Sequence, residues 1–341
     1  MNTKWNKDVE KRILRKSRFT LTFRIVRILI VAVFLYAVYV SALDVYANTS
    51  KSLKKAHFYN ELAIEWMHPN VRSDMPQADW QVDLLWSGKA AFPLYKKVGL
   101  HTVPVGEAEV TKPVWPLLGS QSVELEGNRD YAEIEFQFYY PEHPMTQEPL
   151  GHEEFPETWE TLERLPEGTV AELAFSLDSF MTAEELLDKL ADYDLHVTWM
   201  ALHAGENEKG SGIQQTSYGL TAAEEETLVG EPIGLVPAYT MEKDYMGSTL
   251  FYALEKNSLE DSQKAMLDNM SMILKESKDY QESFLGLQDL QYRYNYIKEN
   301  GFIVYGAVVT GPSKELLKLQ DEEGIESAQL GEVELWKWEN K

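Results

Sequence analysis

The run ILIVAVFLYAVYVSALDVYA at positions 28–47 constrains this chain more than any other feature, because Asp44 is its only charged residue. It is the length a helix needs to cross the hydrocarbon core of a bilayer, about 20 residues. Tyr36, Tyr39 and Tyr46 suit the amphipathic rim of such a span. Asp44 lies near the outer end, where its carboxylate reaches water. Before Ile28 stand nine basic residues, from Lys4 to Arg27, against Asp8 and Glu10, so the head carries +7. Basic residues stay on the cytoplasmic side, which puts the head inside and the rest of the chain outside. The rival reading is a secretory signal, cleaved after the small-residue sites ending at Ala42 or Ala47. A basic segment of 27 residues and an apolar stretch of this length favour an uncleaved anchor.

The remainder is strongly acidic. The chain has 32 basic and 55 acidic residues and a net charge of −23. Removing the head leaves 23 basic and 53 acidic groups, or −30, over residues 28–341. Such a balance argues against nucleic-acid binding. Cysteine is absent, which excludes disulfides, a thiol nucleophile, iron–sulfur clusters and cysteine-based zinc sites.

The expected architecture is α+β: one N-terminal transmembrane helix, a β-rich region, and a C-terminal two-layer plait. Its segments are a basic cytoplasmic head (1–27), the span (28–47), a stalk with a β-rich extracytoplasmic region (48–165), and an α+β domain (166–341). KSLKKAHFYNELAIEWM at 51–67 reads as a helical stalk that ends before Pro69. Trp80, Val82 and Leu84 alternate as in a half-exposed strand, and so do Ile134, Phe136 and Phe138. Residues 141–156 read as a linker. From 169 the pattern is a strand (169–176), a helix opened by the capping box Thr182-Ala183-Glu184-Glu185, and a strand (195–202). The rhythm returns with a strand at 302–310, a helix after Gly311-Pro312, and a strand at 332–338 that includes Trp336 and Trp338. Two β-α-β halves in this order fit a ferredoxin-like split arrangement. The insert between them holds a loop at 205–219, an acidic stretch at 224–226, and helices near 258–277 and 287–300. In the second helix Tyr292, Tyr294 and Tyr296 cannot share one face, so at least one is exposed.

No catalytic signature is present. The seven histidines form no metal-spacing pair, and His152-Glu153 has Pro156 where a zinc helix needs its second histidine. There is no G-x-S-x-G elbow. Ser87-Gly88-Lys89 has Asp83 where a phosphate loop needs its first glycine, and paired glutamates belong to a solvated acidic surface. The expectation is a non-enzyme with no cofactor and no bound metal.

Three stretches carry a resemblance: LPEGTVAELAFS, DYDLHVTWMAL and ENGFIVYGAVVTGPSKELLKL with SAQLGEVELWKW. They resemble the C-terminal domain of the sigma factor regulator family. The basic head, the span and FYNELAIEWMHPNV resemble that family's N-terminal domain. The resemblance implies a membrane-anchored negative regulator of an extracytoplasmic-function sigma factor in envelope stress, like the membrane-bound anti-sigma factors of Bacillus-type bacteria. Its partner would be the sigma factor itself, or a separate anti-sigma subunit for which this chain is an accessory. Better-known relatives have a longer cytoplasmic part than the 27 residues here. A helix in the head would present Trp5, Val9, Ile13 and Leu14 to a partner, while its charge equally suits anionic lipid. The competing class is an extracytoplasmic scaffold for other envelope proteins, or a ligand-binding module, with no sigma contact.

Overall fold

A computed structural model of the chain describes residues 7–73, 79–113, 119–125, 136–143, 146–205, 213–216, 227–241, 247–249 and 252–335. The apolar run lies in α1 (Lys7–Thr49), 43 residues of unbroken helix. Its hydroxyls bond back within the helix: Thr20 donates to the Lys16 carbonyl and Ser41 to the Ala37 carbonyl. Such back-bonding satisfies a hydroxyl without help from water, and of the two Ser41 lies in the apolar run. It is the one helix among the described residues long and apolar enough to cross a membrane, with a mean hydropathy of 2.4.

A single extended residue, Ser50, separates α1 from α2 (Lys51–Met67). Its amide still donates to the Tyr46 carbonyl, while its hydroxyl accepts from the Leu53 amide as the N-cap of α2. The second helix stops at extended His68, as the following Pro69 dictates. The bounds match the sequence expectation, but α2 is no stalk. From Ala56 to Trp66 every residue is buried. Its polar Asn60, Glu61 and Glu65 are buried along with the apolar residues.

Next come β1 (Val71–Arg72), β2 (Gln81–Val82), β3 (Ser87–Val98), β4 (His101–Pro113) and β5 (Ser120–Leu125), which form one antiparallel sheet around the long β3–β4 hairpin. The alternation seen at Trp80, Val82 and Leu84 does not extend that far as a strand. After β2 the chain turns at Asp83, and Leu84 is exposed. Of the second expected strand only β6 (Phe138–Tyr139) is seen, and Ile134 lies outside the described residues. The described part of 141–155 has no regular element beyond a bridge between Glu142 and Pro149, and a helix begins at Pro156.

The chain continues through α3 (Pro156–Arg164), β7 (Thr169–Thr182), α4 (Ala183–Lys189) and β8 (His196–Leu202). The capping box forms as expected: the Glu185 amide donates to the Thr182 hydroxyl, and the Glu185 carboxylate accepts from the Thr182 amide. The insert supplies β9 (Ile213–Thr216), β10 (Thr227–Gly230), β11 (Ile233–Leu235), β12 (Tyr239–Met241), β13 (Gly247–Thr249), α5 (Leu259–Ile273) and α6 (Leu290–Asn300). A π-turn at Tyr280–Phe284 joins the last two. Residues 224–226 lie outside the described set. Tyr292 is the exposed tyrosine of α6.

Last come β14 (Ile303–Pro312), α7 (Ser313–Leu316) and β15 (Ile325–Leu335). The final strand starts seven residues before the expected position, and Trp336 and Trp338 lie outside the described residues. The central sheet has the order β11-β8-β14-β7-β15, antiparallel at each junction. Thus β7 and β8, the strands flanking α4, are separated by β14. The buried hydrophobic residues from Leu53 to Val333 join in one core that includes α2, the β3–β4 hairpin and the central sheet.

Candidate functional site

The long apolar helix α1 runs into the buried helix α2 through one extended residue, so the feature to follow is this pair of helices. At the head end, Ile13 and Leu14 are exposed on α1. They are consecutive, about 100° apart around the helix; Val9 and Ile13, four apart, share a side. Val9 is in the helix, but its side chain and the whole of Trp5 lie outside the described residues. Of the four expected partner residues, the side chains of Ile13 and Leu14 are described, and both are exposed.

The other end of α1 is gripped by the folded body. Leu43 is buried, and Tyr46 and Ala47 pack against the core. The Tyr39 hydroxyl donates to the Leu84 carbonyl at 2.5 Å. The Trp86 ring meets Tyr46 edge-on at 5.3 Å and Tyr39 at 6.3 Å. Asp83 shapes the turn that carries these groups, its carboxylate accepting from the Leu85 and Ser87 amides at 2.8 Å each. Sequence reasoning missed this turn because it counted Leu84 as part of a strand; Asp83 and Ser87-Gly88 are turn-forming residues that could have revealed it.

Beyond Ser50, Lys55 pairs with Glu276, three residues past the end of α5, 2.8 Å away. Deeper in, the Glu61 carboxylate takes the Tyr239 hydroxyl at 2.5 Å and faces His57 Nε2 at 3.2 Å. Burial first, then the Glu61 and Glu65 charges, push the Tyr239 phenol far above its usual range. Phe58 stacks on the Tyr239 ring at 5.4 Å, and the Trp199 indole donates to the Glu65 carbonyl at 3.1 Å. Thus α2 is bonded to both the insert and the central sheet.

A second buried polar cluster ties the hairpin to that sheet. Lys96 reaches Glu172 at 3.1 Å, and Asn70, just past α2, donates to the other Glu172 oxygen at 2.8 Å. The Gly99 amide donates to the Thr310 hydroxyl at 2.6 Å. At the C-terminal end of α2 a cleft of about 360 Å³ opens between Met67, His68, Phe136, Glu231, Leu287 and Arg293.

The histidines are dispersed. His57 is in α2, His152 pairs with Glu326 at 2.8 Å, and His203 meets the rings of Tyr140, Phe180 and Tyr296. Among the described residues no group of three or more histidines and carboxylates is placed to hold a metal.

Comparisons with known proteins fit this layout. The sigma factor regulator N-terminal domain matches residues 11–103, which contain all but the first turn of α1 together with α2 and β3. The sigma factor regulator C-terminal domain matches residues 162–332, which contain the central sheet and the insert. A probable anti-sigma-M factor of Bacillus subtilis, YhdL, is 28% identical over 276 residues. That alignment covers 79% of this chain and 66% of the relative, so the chain spans slightly less than two thirds of the relative's length. No solved structure matches the chain. With both domains of a regulatory rather than catalytic family in their proper order, one of them over half of the sequence, the chain belongs to the sigma factor regulator family.

Proposed function

We propose that this chain is a membrane-anchored negative regulator of an extracytoplasmic-function sigma factor, either an anti-sigma factor itself or the accessory of a separate anti-sigma subunit. Its head is cytoplasmic and its folded body extracytoplasmic. The body's central sheet, with α4 and α7, is a two-layer plait of two β-α-β halves, extended at one edge by β11. The observation that carries the reading is the single-residue joint at Ser50 between the span helix and a helix buried in the body. A repacking of the body has to move α2, and α2 can pass that movement to α1 with little slack. The head, with Ile13 and Leu14 exposed and Trp5 and Val9 close by in sequence, offers the sigma factor or the subunit an apolar contact amid basic charge. Similarity to a probable anti-sigma-M factor supports a sigma-factor partner.

Three forms test the reading by co-purification in mild detergent: the full chain, the chain without 1–24, and the chain without 167–341. A sigma factor recovered with the full chain and lost without the head supports direct control. A second membrane protein lost only without 167–341 supports the accessory role. Deleting the gene should raise one sigma regulon constitutively, and an unchanged transcriptome would refute negative regulation.

The cleft at the end of α2 favours a second reading, an extracytoplasmic ligand-binding module or scaffold with no sigma contact. In that case the chain would co-purify with envelope proteins alone.

A further inference from the structure

The turn between β2 and β3 has an unusual composition for its position. Leu84 is 55% exposed and Leu85 86% exposed, and the two are consecutive. Lone exposed leucines are ordinary, but an adjacent pair beside an apolar helix is a patch. Trp86 follows with φ of +62°, a left-handed conformation that a bulky residue adopts only when its surroundings enforce it. Asp83 enforces it by accepting the Leu85 and Ser87 amides, and the Trp86 ring is held against Tyr39 and Tyr46. The result is a rigid turn that folds its tryptophan back and presents both leucines outward.

Its position on α1 decides what the leucines meet. The Leu84 carbonyl is bonded to Tyr39. Tyr39 lies eight residues before Ala47, or about 12 Å of helix inside the outer end of the apolar stretch. The exposed apolar side chains of α1 run from Ile13 to Val45, densest between Phe19 and Val40, and Leu43 is the large side chain of this helix that the body buries. A helix that spans the membrane therefore brings this turn to the level of lipid. Tyr39, Tyr46 and Trp86 together make the kind of aromatic cluster that settles at a membrane interface.

We propose that the turn at residues 84–86 is a second membrane contact, with Leu84 and Leu85 inserted among the acyl chains of the leaflet facing the body and Trp86 at its interface. The body then rests on the bilayer at two points, the span and the turn, and its tilt relative to the membrane is set. The proposal rests on α1 being a span, as in the function proposed above.

The chain has no cysteine, so any one introduced is its only thiol. Full-length Leu85→Cys, Leu100→Cys and Val33→Cys variants are labelled with an environment-sensitive fluorophore and reconstituted in phosphatidylcholine–phosphatidylglycerol vesicles. Each is quenched by nitroxide-bearing phospholipid and, separately, by iodide on both faces. Leu85 is nearly bare, so its replacement removes little packing. Val33 is an exposed position of the span, and Leu100, 80% exposed, caps the far end of the hairpin about 40 Å along the strand. The Leu85 label should follow Val33, with several-fold stronger lipid quenching and several-fold weaker iodide quenching than at Leu100. If Leu85 follows Leu100 while Val33 is quenched by lipid, the turn proposal fails and the span stands. If Val33 is also quenched by iodide alone, the span fails and the proposal with it. Shielding of Leu85 from both quenchers means that protein, such as a second copy of the chain, covers the turn, which also overturns the proposal.

Discussion

Among single residues, Glu172 is the most exposed to failure by substitution, because it is wholly buried and answers Lys96, Asn70 and the Glu332 amide together. Glu172→Ala leaves the Lys96 ammonium buried without its counter-charge, and breaking such a pair costs about 3–5 kcal/mol. Urea unfolding of the full chain in detergent should register that loss. Replacing both partners, Lys96→Met with Glu172→Leu, should recover a large part of it, since no unpaired charge then remains. Tyr239 makes a prediction about alkali. Its folded phenol titrates far above the value of about 10 expected for an unfolded tyrosine. Its contribution is therefore fully present below about pH 10 and is lost as the pH rises from there toward the folded value. Over that window the unfolded state releases a proton that the folded state keeps, and stability falls by up to about 1.4 kcal/mol per pH unit. Tyr239→Phe should lower stability at neutral pH, through the lost bond to Glu61, yet flatten the decline in unfolding midpoint above pH 10. An unchanged alkaline slope would refute this assignment.

At the scale of elements, the helix termini were legible and the surroundings of the helices were not. Pro69 ended α2 and Thr182 with Glu185 opened α4, both by local chemistry that needs no knowledge of the rest of the fold. The burial of α2 was hidden because Glu61 finds Tyr239 across 178 residues, a pairing no window of sequence reveals. The long β3–β4 hairpin was hidden for another reason: Pro93, Pro104 and Gly106 punctuate strands that continue past them. The central strands at 169–176, 195–202 and 302–310 were legible as short apolar runs, whereas β11, three residues long, was too short to read. The head residues Ile13 and Leu14 were visible as apolar letters in a basic segment, but the turn at 84–86 required the third dimension. Elements also carry the test of coupling. Two glycines inserted between Thr49 and Ser50 should lower the thermal midpoint of the body modestly, because they displace Leu43, Tyr46 and Ala47 from its edge while the packing of α2 stays intact. The same insertion should leave a sigma-dependent reporter unresponsive to envelope stress. A normal response would mean that the signal does not travel through the joint.

Across the whole molecule the charges are divided, with a head of +7 and a remainder of −30. Given the span, the arrangement predicts that a reporter fused after Lys341 is active only in a form that works outside the membrane. Activity of a cytoplasmic reporter there would invert the topology and remove the proposed function with it. The buried course of α2 has a further consequence for how such a regulator behaves in time. A helix loosely attached to a surface can slide by degrees, and its output would be graded with its input. A helix enclosed on every side from Ala56 to Trp66 has no intermediate place to go, because packed cores have discrete arrangements rather than continuous ones. Weak perturbations of the body should be absorbed without reaching the span, and a strong one should release it in a single step. Cell by cell, the response to a rising stimulus should be a switch between two levels, with the average climbing only because more cells have crossed over.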